Sequence, residues 1–102
     1  MTLQQLQYIV ALDRHRHFVK AAGECGISQP TLSAMISRLE EELDVRIFDR
    51  SKHPVEPTPM GEEIIHQARL ILKQATQVQE LVQAGKESLD TRFSLGDRKS
   101  VV

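Results

Sequence analysis

The sequence lacks a long hydrophobic run and the start pattern of a secretory signal peptide. A membrane-spanning helix needs about 20 consecutive apolar residues, and a signal peptide needs an apolar stretch of about 7–15 residues. Hydrophobic residues make up 40% of the 102 residues and charged residues 26%, an ordinary balance for a globular domain. These features predict a cytoplasmic protein without a membrane partner.

Cysteine is scarce, since Cys25 is the only one. A single cysteine forms no disulfide within the chain and fits a reducing compartment. His15, His17, His53 and His66 show no metal-ligand spacing with it. We therefore predict no metal and no cofactor. A catalytic thiol at Cys25 is a weaker alternative, because no general base or second cysteine accompanies it.

The excess of basic charge that is typical of DNA-binding domains is also missing. The net charge is −1, and residues 1–58 carry seven Lys and Arg against eight Asp and Glu. Any affinity for DNA must therefore come from the local placement of charges. The acidic residues cluster at Glu40, Glu41, Glu42 and Asp44.

What the sequence does contain is a helix-turn-helix pattern between Phe18 and Arg50. A short helix at 18–25 is followed by Gly26, which suits the left-handed position that ends a helix. Ser28 is a predicted N-cap for a second helix, with Pro30 in its first turn. Such a unit exists to place one helix end in the major groove of DNA.

The second helix of this motif has an apolar and a polar face. Its apolar residues recur at spacings of 3 and 4, which predicts a core-facing stripe. The opposite face is small and polar, and suits hydrogen bonds to base edges and phosphates. Because the acidic cluster repels phosphates, we predict that the helix enters the groove by its N-terminus and carries its glutamates out to solvent. The candidate DNA contacts on it are Ser28, Gln29, Pro30, Thr31, Ser33, Ala34, Ser37 and Arg38.

A two-stranded wing is predicted after this helix. Strand-like segments at 46–50 and 55–56 enclose a turn at 51–54. Arg50 and Lys52 lie at the predicted wing tip, where a cation reaches the minor groove or a phosphate. We include both among the candidate DNA contacts.

Further helices are predicted on each side. Thr2 and Gln5 form a capping box for a first helix, and Thr58 with Pro59 begins a last helix. The last helix carries an apolar seam with coiled-coil spacing, which a small domain cannot cover. We therefore predict that it forms a homodimer. The seam residues are Ile64, Ala68, Ile71, Ala75, Val78 and Val82.

These elements predict a mainly α winged helix-turn-helix fold with a long C-terminal linker helix. Its parts are a DNA-binding domain at 1–58, the dimerising linker helix at 59–88 and a disordered end at 89–102. One alternative use of the same fold is a protein–protein interaction module, which the near-neutral charge permits. Retardation of DNA in a gel distinguishes the two.

The chain resembles the LysR-type transcriptional regulators. The residues that match at fixed spacing are Phe18, Ala21, Ala22, Ile27 to Ser33, Ile36, Leu39, Glu40, Leu43, Phe48, Arg50, Thr58 and Gly61. Within that family, the segments 15–18 and 25–33 look most like the peroxide-responsive OxyR branch.

The resemblance implies a sequence-specific transcription regulator, not an enzyme, that binds a partly palindromic DNA site as a dimer. It also implies that full-length members form tetramers and carry a C-terminal sensing domain that this sequence does not contain. Ala34 and Met35 stand where family members often have larger polar residues, and Asp44 replaces a common glycine. The DNA contacts implied by the family are Gln29, Pro30, Thr31, Ser33, Arg38 and Arg50.

Overall fold

The structure is a computed structural model that describes the backbone of residues 1–93 and the side chains of residues 1–87. This part of the chain folds into four helices and one two-stranded antiparallel sheet. In chain order the elements are α1 (Leu3–His15), α2 (Phe18–Cys25), α3 (Gln29–Leu43), β1 (Phe48–Asp49), β2 (Glu56–Pro57) and α4 (Pro59–Phe93). The predicted mainly α winged helix-turn-helix fold is confirmed.

The helix ends follow the local signals of the sequence. Thr2 and Gln5 form the predicted capping box, with backbone-to-side-chain distances of 3.0 and 3.1 Å. Gly26 ends α2 at a φ of 71°, and the Ser28 side chain accepts from the backbone N–H of Thr31 at 3.3 Å. These contacts fix where the turn lies between α2 and α3.

The core lies where α1, α2 and α3 meet the base of the wing. Ala21 is fully buried, and its small side chain lets α2 lie close to its neighbours. The largest fully buried side chains come from α1, α3 and the start of the wing: Ile9, Leu12, Leu32, Ile36, Leu39, Ile47 and Phe48. This packing sets the orientation of α3.

The first part of α4 belongs to the same compact unit, which corrects the predicted boundary at residue 58. That unit spans Met1–Leu72, and a second unit begins at Lys73. Ile65 and Ala68 are 3% and 1% exposed in the core, and Ile64 packs against it. Ile64 and Ala68 therefore cover the chain's own core, although they were predicted to face a partner helix.

The end of α4 also differs from the prediction. The helix continues to Phe93, five residues beyond the expected end at residue 88. The chain between 86 and 93 contains neither proline nor glycine, so nothing in it breaks a helix. The prediction of a disordered end was therefore wrong for 89–93, and its remainder, 94–102, lies outside the described residues.

The wing is smaller than predicted. Its strands pair Phe48 with Pro57 and Asp49 with Glu56, so each strand has two residues. Beyond these pairs, Thr58 donates its N–H to the carbonyl oxygen of Ile47 at 2.9 Å. Val55 instead donates its N–H to the carbonyl oxygen of Arg16 at 3.2 Å, which attaches the wing to the turn between α1 and α2.

Gly61 lies directly against the backbone of Ile47. A Cβ at this position would lie 1.9 Å from the carbonyl oxygen of Ile47. We expect Gly61→Ala to destabilise the domain by about 1–3 kcal/mol or more, because backbone must move to relieve the overlap. The measurement is urea unfolding followed by far-UV circular dichroism.

Gly23→Ala is the matched control for that substitution. Gly23 lies within α2, and a Cβ there meets no atom within 4 Å. Because alanine is the better helix former, this variant is expected to be neutral or stabilised by up to about 1 kcal/mol. Equal unfolding midpoints for the two variants would contradict the proposed overlap.

Candidate nucleic-acid interface

The start and outer face of α3 present an exposed surface that is uncharged until Arg38. Ser28 caps the helix, and its hydroxyl oxygen lies 2.8 Å from that of Thr31. The aligned peptide dipoles give the helix start a partial positive charge. Most of the predicted contact residues lie on this surface in exposed positions: Ser28, Gln29, Pro30, Thr31, Ala34 and Arg38.

Arg50 stands in the wing turn, as predicted, but its side chain is bonded to α3. Its Nη1 donates to the Ser33 hydroxyl at 2.6 Å, and its Nη2 donates to the Ser37 hydroxyl at 3.0 Å and the Ser33 carbonyl at 3.3 Å. The guanidinium also lies 5.0 Å from the centre of the Phe18 ring. Arg50 therefore joins the wing to α3, and Ser33 and Ser37 are half-buried beside it.

The prediction that the glutamates of α3 point to solvent was wrong for Glu40. Its side chain is 6% exposed, and its Oε2 accepts from the backbone N–H groups of Ile47 at 2.8 Å and Phe48 at 3.2 Å. Its Oε1 lies 3.8 Å from both Arg46 and Arg50. Glu40 thus anchors the start of the wing to α3. The other acidic residues of the cluster are exposed as predicted: Glu41, Glu42 and Asp44.

A groove of about 500 Å³ lies between the α1–α2 turn, the start of α3 and the wing. Its lining contains arginine, lysine and histidine side chains and no carboxylate. His17, Lys20 and His53 were not predicted as part of the site, because His53 is distant in sequence from the other two and only the folded wing brings it beside them. The lining residues are His15, Arg16, His17, Phe18, Val19, Lys20, Gln29, Arg50, His53, Pro54 and Val55.

The carboxylates discussed above lie outside the lining of this groove. Glu24 is bound by Arg14 and His15, and the hydrogen bond from the Arg14 guanidinium is the main reason that the pKa of this carboxyl is lowered. Lys52 is exposed in the wing turn. α3 has 15 residues and is about 22 Å long at 1.5 Å per residue, and its exposed carboxylates lie at its far end. The lining of the groove itself is therefore cationic.

Cys25 is half-buried and packs against the hydrophobic core. Burial, followed by the charge of Glu24, raises the pKa of the thiol, and Arg14 offsets this only in part. A raised pKa lowers the fraction of reactive thiolate. Within the described residues, no three His, Cys, Asp or Glu side chains come together as a metal site. None of the described helices is long and apolar enough to cross a membrane.

The part of α4 from Lys73 onward carries exposed apolar side chains. Val78 is 54% exposed, Leu81 73% and Val82 50%. Ala75 lies on the same helix face as Val78 and Val82 by its spacing. In the first compact unit, Ile71 is 39% exposed. Isolated apolar residues are common on surfaces, but a stripe at helical spacing indicates a contact face.

Comparison with known proteins identifies relatives with clear sequence similarity. The sequence pattern of the bacterial regulatory helix-turn-helix protein, lysR family, matches residues 3–62. The chain is 38% identical over 96 residues to the DNA-binding transcriptional dual regulator OxyR of Escherichia coli (strain K12), covering 94% of this chain and 32% of that protein. It thus spans about a third of the length of the OxyR relatives that it matches.

Two solved structures share the fold. A full-length OxyR variant from Pseudomonas aeruginosa is 53% identical with a TM-score of 0.80, covering 84% of this chain and 29% of that one. The BenM DNA-binding domain in complex with benA site 1 DNA is 36% identical with a TM-score of 0.80, covering 82% of this chain and 94% of that one. The similarity in both cases extends over the winged helix-turn-helix.

Proposed function

Since the chain belongs to the lysR family of bacterial regulatory helix-turn-helix proteins, we propose that it acts as a sequence-specific DNA-binding transcription regulator of the OxyR-like branch. Its partner is double-stranded DNA, and its role is binding without catalysis. The known relatives named above are transcription regulators, and one of the similar domains is seen in complex with DNA.

The observation that carries this proposal is the position of the exposed start of α3 beside a groove lined by cations. The helix start offers polar side chains to base edges and phosphates. The groove supplies Lys20 and the histidines at the same side, with no carboxylate in its lining. The net charge of −1 includes the exposed acidic residues at the other end of α3, which lie outside the groove lining.

The exposed contacts divide into two roles. Gln29, Thr31 and Arg38 lie on the exposed α3 face and read base edges in the major groove. Lys52 in the wing turn and Lys20 in the groove bind phosphates and supply affinity that is independent of sequence. Ser28 and Pro30 shape the helix start, and Ala34 offers a methyl contact to thymine.

The apolar stripe on α4 supports a homodimer. Two copies that pair through this helix present two α3 helices, and such a pair reads two half-sites of a partly palindromic site. Because Ile64 and Ala68 are used in the chain's own core, the proposed contact face is reduced to four of the predicted seam residues. They are Ile71, Ala75, Val78 and Val82. Residues 59–88 thus have two tasks, core packing at the start and pairing beyond it.

Replacement of Gln29 and Lys52 tests the two roles separately. Gln29→Ala is expected to weaken binding by about 1–3 kcal/mol on a preferred duplex, with little change on unrelated duplexes. Lys52→Ala is expected to weaken binding to all duplexes and to reduce the slope of log K against log salt by about one. Fluorescence anisotropy with a labelled duplex, recovered from a randomised library, measures both effects.

Gln77→Ala and Lys86→Ala are the matched controls, since both residues are exposed in α4 and outside the proposed interface. Neither change is expected to alter affinity or salt slope. Failure of the wild-type protein to bind any duplex at low salt would exclude the proposed function. It would favour the alternative of a protein–protein interaction module.

A further inference from the structure

The carboxylate of Asp13, near the end of α1, bonds to two arginines from different parts of the chain. Its Oδ2 accepts from Nη2 of Arg69 in α4 at 2.6 Å. Its Oδ1 accepts from Nε of Arg16 at 3.2 Å and lies 3.0 Å from Nη2 of the same residue. The Asp13 side chain is only 17% exposed, so water and salt screen these charged contacts less than they screen a fully exposed ion pair.

Arg16 connects this carboxylate to the wing. Its Nε also donates to the backbone carbonyl oxygen of Asp13 at 2.8 Å, so its side chain is folded back onto the end of α1. Its own carbonyl oxygen accepts from the N–H of Val55 at 3.2 Å. Asp13 therefore joins α4 to the turn between α1 and α2, and that turn holds the wing.

The bond between Asp13 and Arg69 restrains α4 in a way that its apolar contacts do not. Ile65 and Ala68 are buried in the core, but hydrophobic burial is non-directional. A cavity of about 200 Å³ lies beside them, and it is lined by Asp13 from α1 and by Arg69 from α4. Because a hydrogen bond requires both a distance and an angle, the bond between these two walls limits the tilt of the start of α4.

We propose that Asp13 and Arg69 make the dimer selective for the distance between two DNA half-sites. This rests on the proposed function, in which two copies pair through α4 and each copy supplies one α3. By fixing the start of α4 on the DNA-binding domain, the two residues restrict how far apart the two α3 helices lie and how they are rotated. They are positioning residues, which act without touching DNA.

A small tilt of α4 is enough to change the preferred spacing. The proposed pairing face from Ile71 to Val82 is about 17 Å long at 1.5 Å per residue. A tilt of about 10° over this length moves one end by about 3 Å, which is close to the rise of ~3.4 Å per base pair. Each added base pair also rotates the second half-site by about 35°, because a turn of DNA takes about 10–10.5 base pairs. A restrained α4 therefore selects one spacing, whereas a loosened α4 tolerates several.

The experiment measures affinity for duplexes that carry two copies of one half-site, with the spacer lengthened or shortened by one or two base pairs. The half-site is the sequence that the wild-type chain recovers from a randomised library, and a duplex with a single copy is the reference. We expect the wild type to bind its best spacing about 10-fold or more tightly than a spacing two base pairs away, since DNA or protein must deform to fit the latter. Arg69→Met is expected to reduce this preference by about 2- to 10-fold, as the loss of one charge-assisted hydrogen bond allows. Its affinity for the single half-site is expected to stay unchanged.

Lys73→Met is the matched control, because Lys73 lies one turn further along α4, is exposed, and loses the same charge. It is expected to keep the spacing preference of the wild type. Arg69→Lys retains a cation opposite Asp13 and is expected to restore most of the preference, whereas Asp13→Asn is expected to reproduce Arg69→Met. All four variants are expected to sediment as the wild type does, since the changed residues lie outside the proposed pairing face.

Three results would overturn the inference. They are a wild-type chain without any spacing preference, equal preferences in Arg69→Met and Lys73→Met, and a loss of affinity in Arg69→Met that is as large on the single half-site as on the double one. In each of these cases the wild-type chain still binds DNA, so the proposed DNA-binding function survives. A wild-type chain that binds no duplex overturns both proposals together.

Discussion

Glu40→Ala is expected to destabilise the domain by about 3–5 kcal/mol, which is typical of breaking a buried charged network. The substitution leaves the N–H groups of Ile47 and Phe48 without their acceptor. It also removes the carboxylate that lies 3.8 Å from Arg50. Unmade buried hydrogen bonds carry the full desolvation penalty of each group. Urea unfolding followed by circular dichroism measures the loss.

Glu41→Ala is the matched control, because Glu41 is the next residue in α3 and is exposed. A surface change of this kind is expected to stay within about 0.5 kcal/mol. The destabilisation by Glu40→Gln is expected to lie between those of Glu40→Ala and Glu41→Ala. Its amide oxygen still accepts from one or both N–H groups, but the charge is lost. If Glu40→Ala and Glu41→Ala unfolded at the same urea concentration, the anchoring role of Glu40 would be excluded.

Val78→Asp is expected to convert a dimer into a monomer. The side chain is 54% exposed in the described chain, and the proposed pairing of α4 buries it in both copies. Each dimer would then bury two carboxylates, at a cost of several kcal/mol per ion. Even a loss of about 3 kcal/mol corresponds to a roughly 100-fold weaker association. Sedimentation over a range of protein concentrations measures the dissociation constant.

Gln77→Asp introduces the same charge one residue earlier, on a face of α4 that points away from the stripe. It is expected to sediment as the wild type does. A wild-type chain that remains monomeric at high micromolar concentration would contradict the proposed pairing. So would equal dissociation constants for the two variants.

Features that depend on near neighbours in the chain could be predicted from the sequence. The caps at Thr2 and Ser28 and the left-handed end at Gly26 are formed by residues within about four positions of each other. The recurrence of apolar residues at spacings of 3 and 4 in α3 likewise follows from helix geometry alone. Together with the family pattern, these signals were sufficient for the winged helix-turn-helix fold.

The predicted seam of α4 shows what such local patterns do not predict, namely which surface covers an apolar helix face. Its spacing is the same whether a residue packs on its own domain or on a second helix. The structure assigns Ile64 and Ala68 to the chain's own core, and leaves Val78 and Val82 exposed. Periodicity determines which face of a helix is apolar, but the tertiary fold decides what covers that face.

The sequence by itself determined the elements, their order and the polar face of α3. Only the tertiary structure decided the roles of Glu40 and Arg50, which look in the sequence like one acid in an acidic run and one cation in a turn. Glu40 meets a backbone N–H seven residues away, and Arg50 meets a hydroxyl 17 residues away. No local pattern encodes these pairs, because they form only when α3 and the wing pack against the same core and exclude water from the charges.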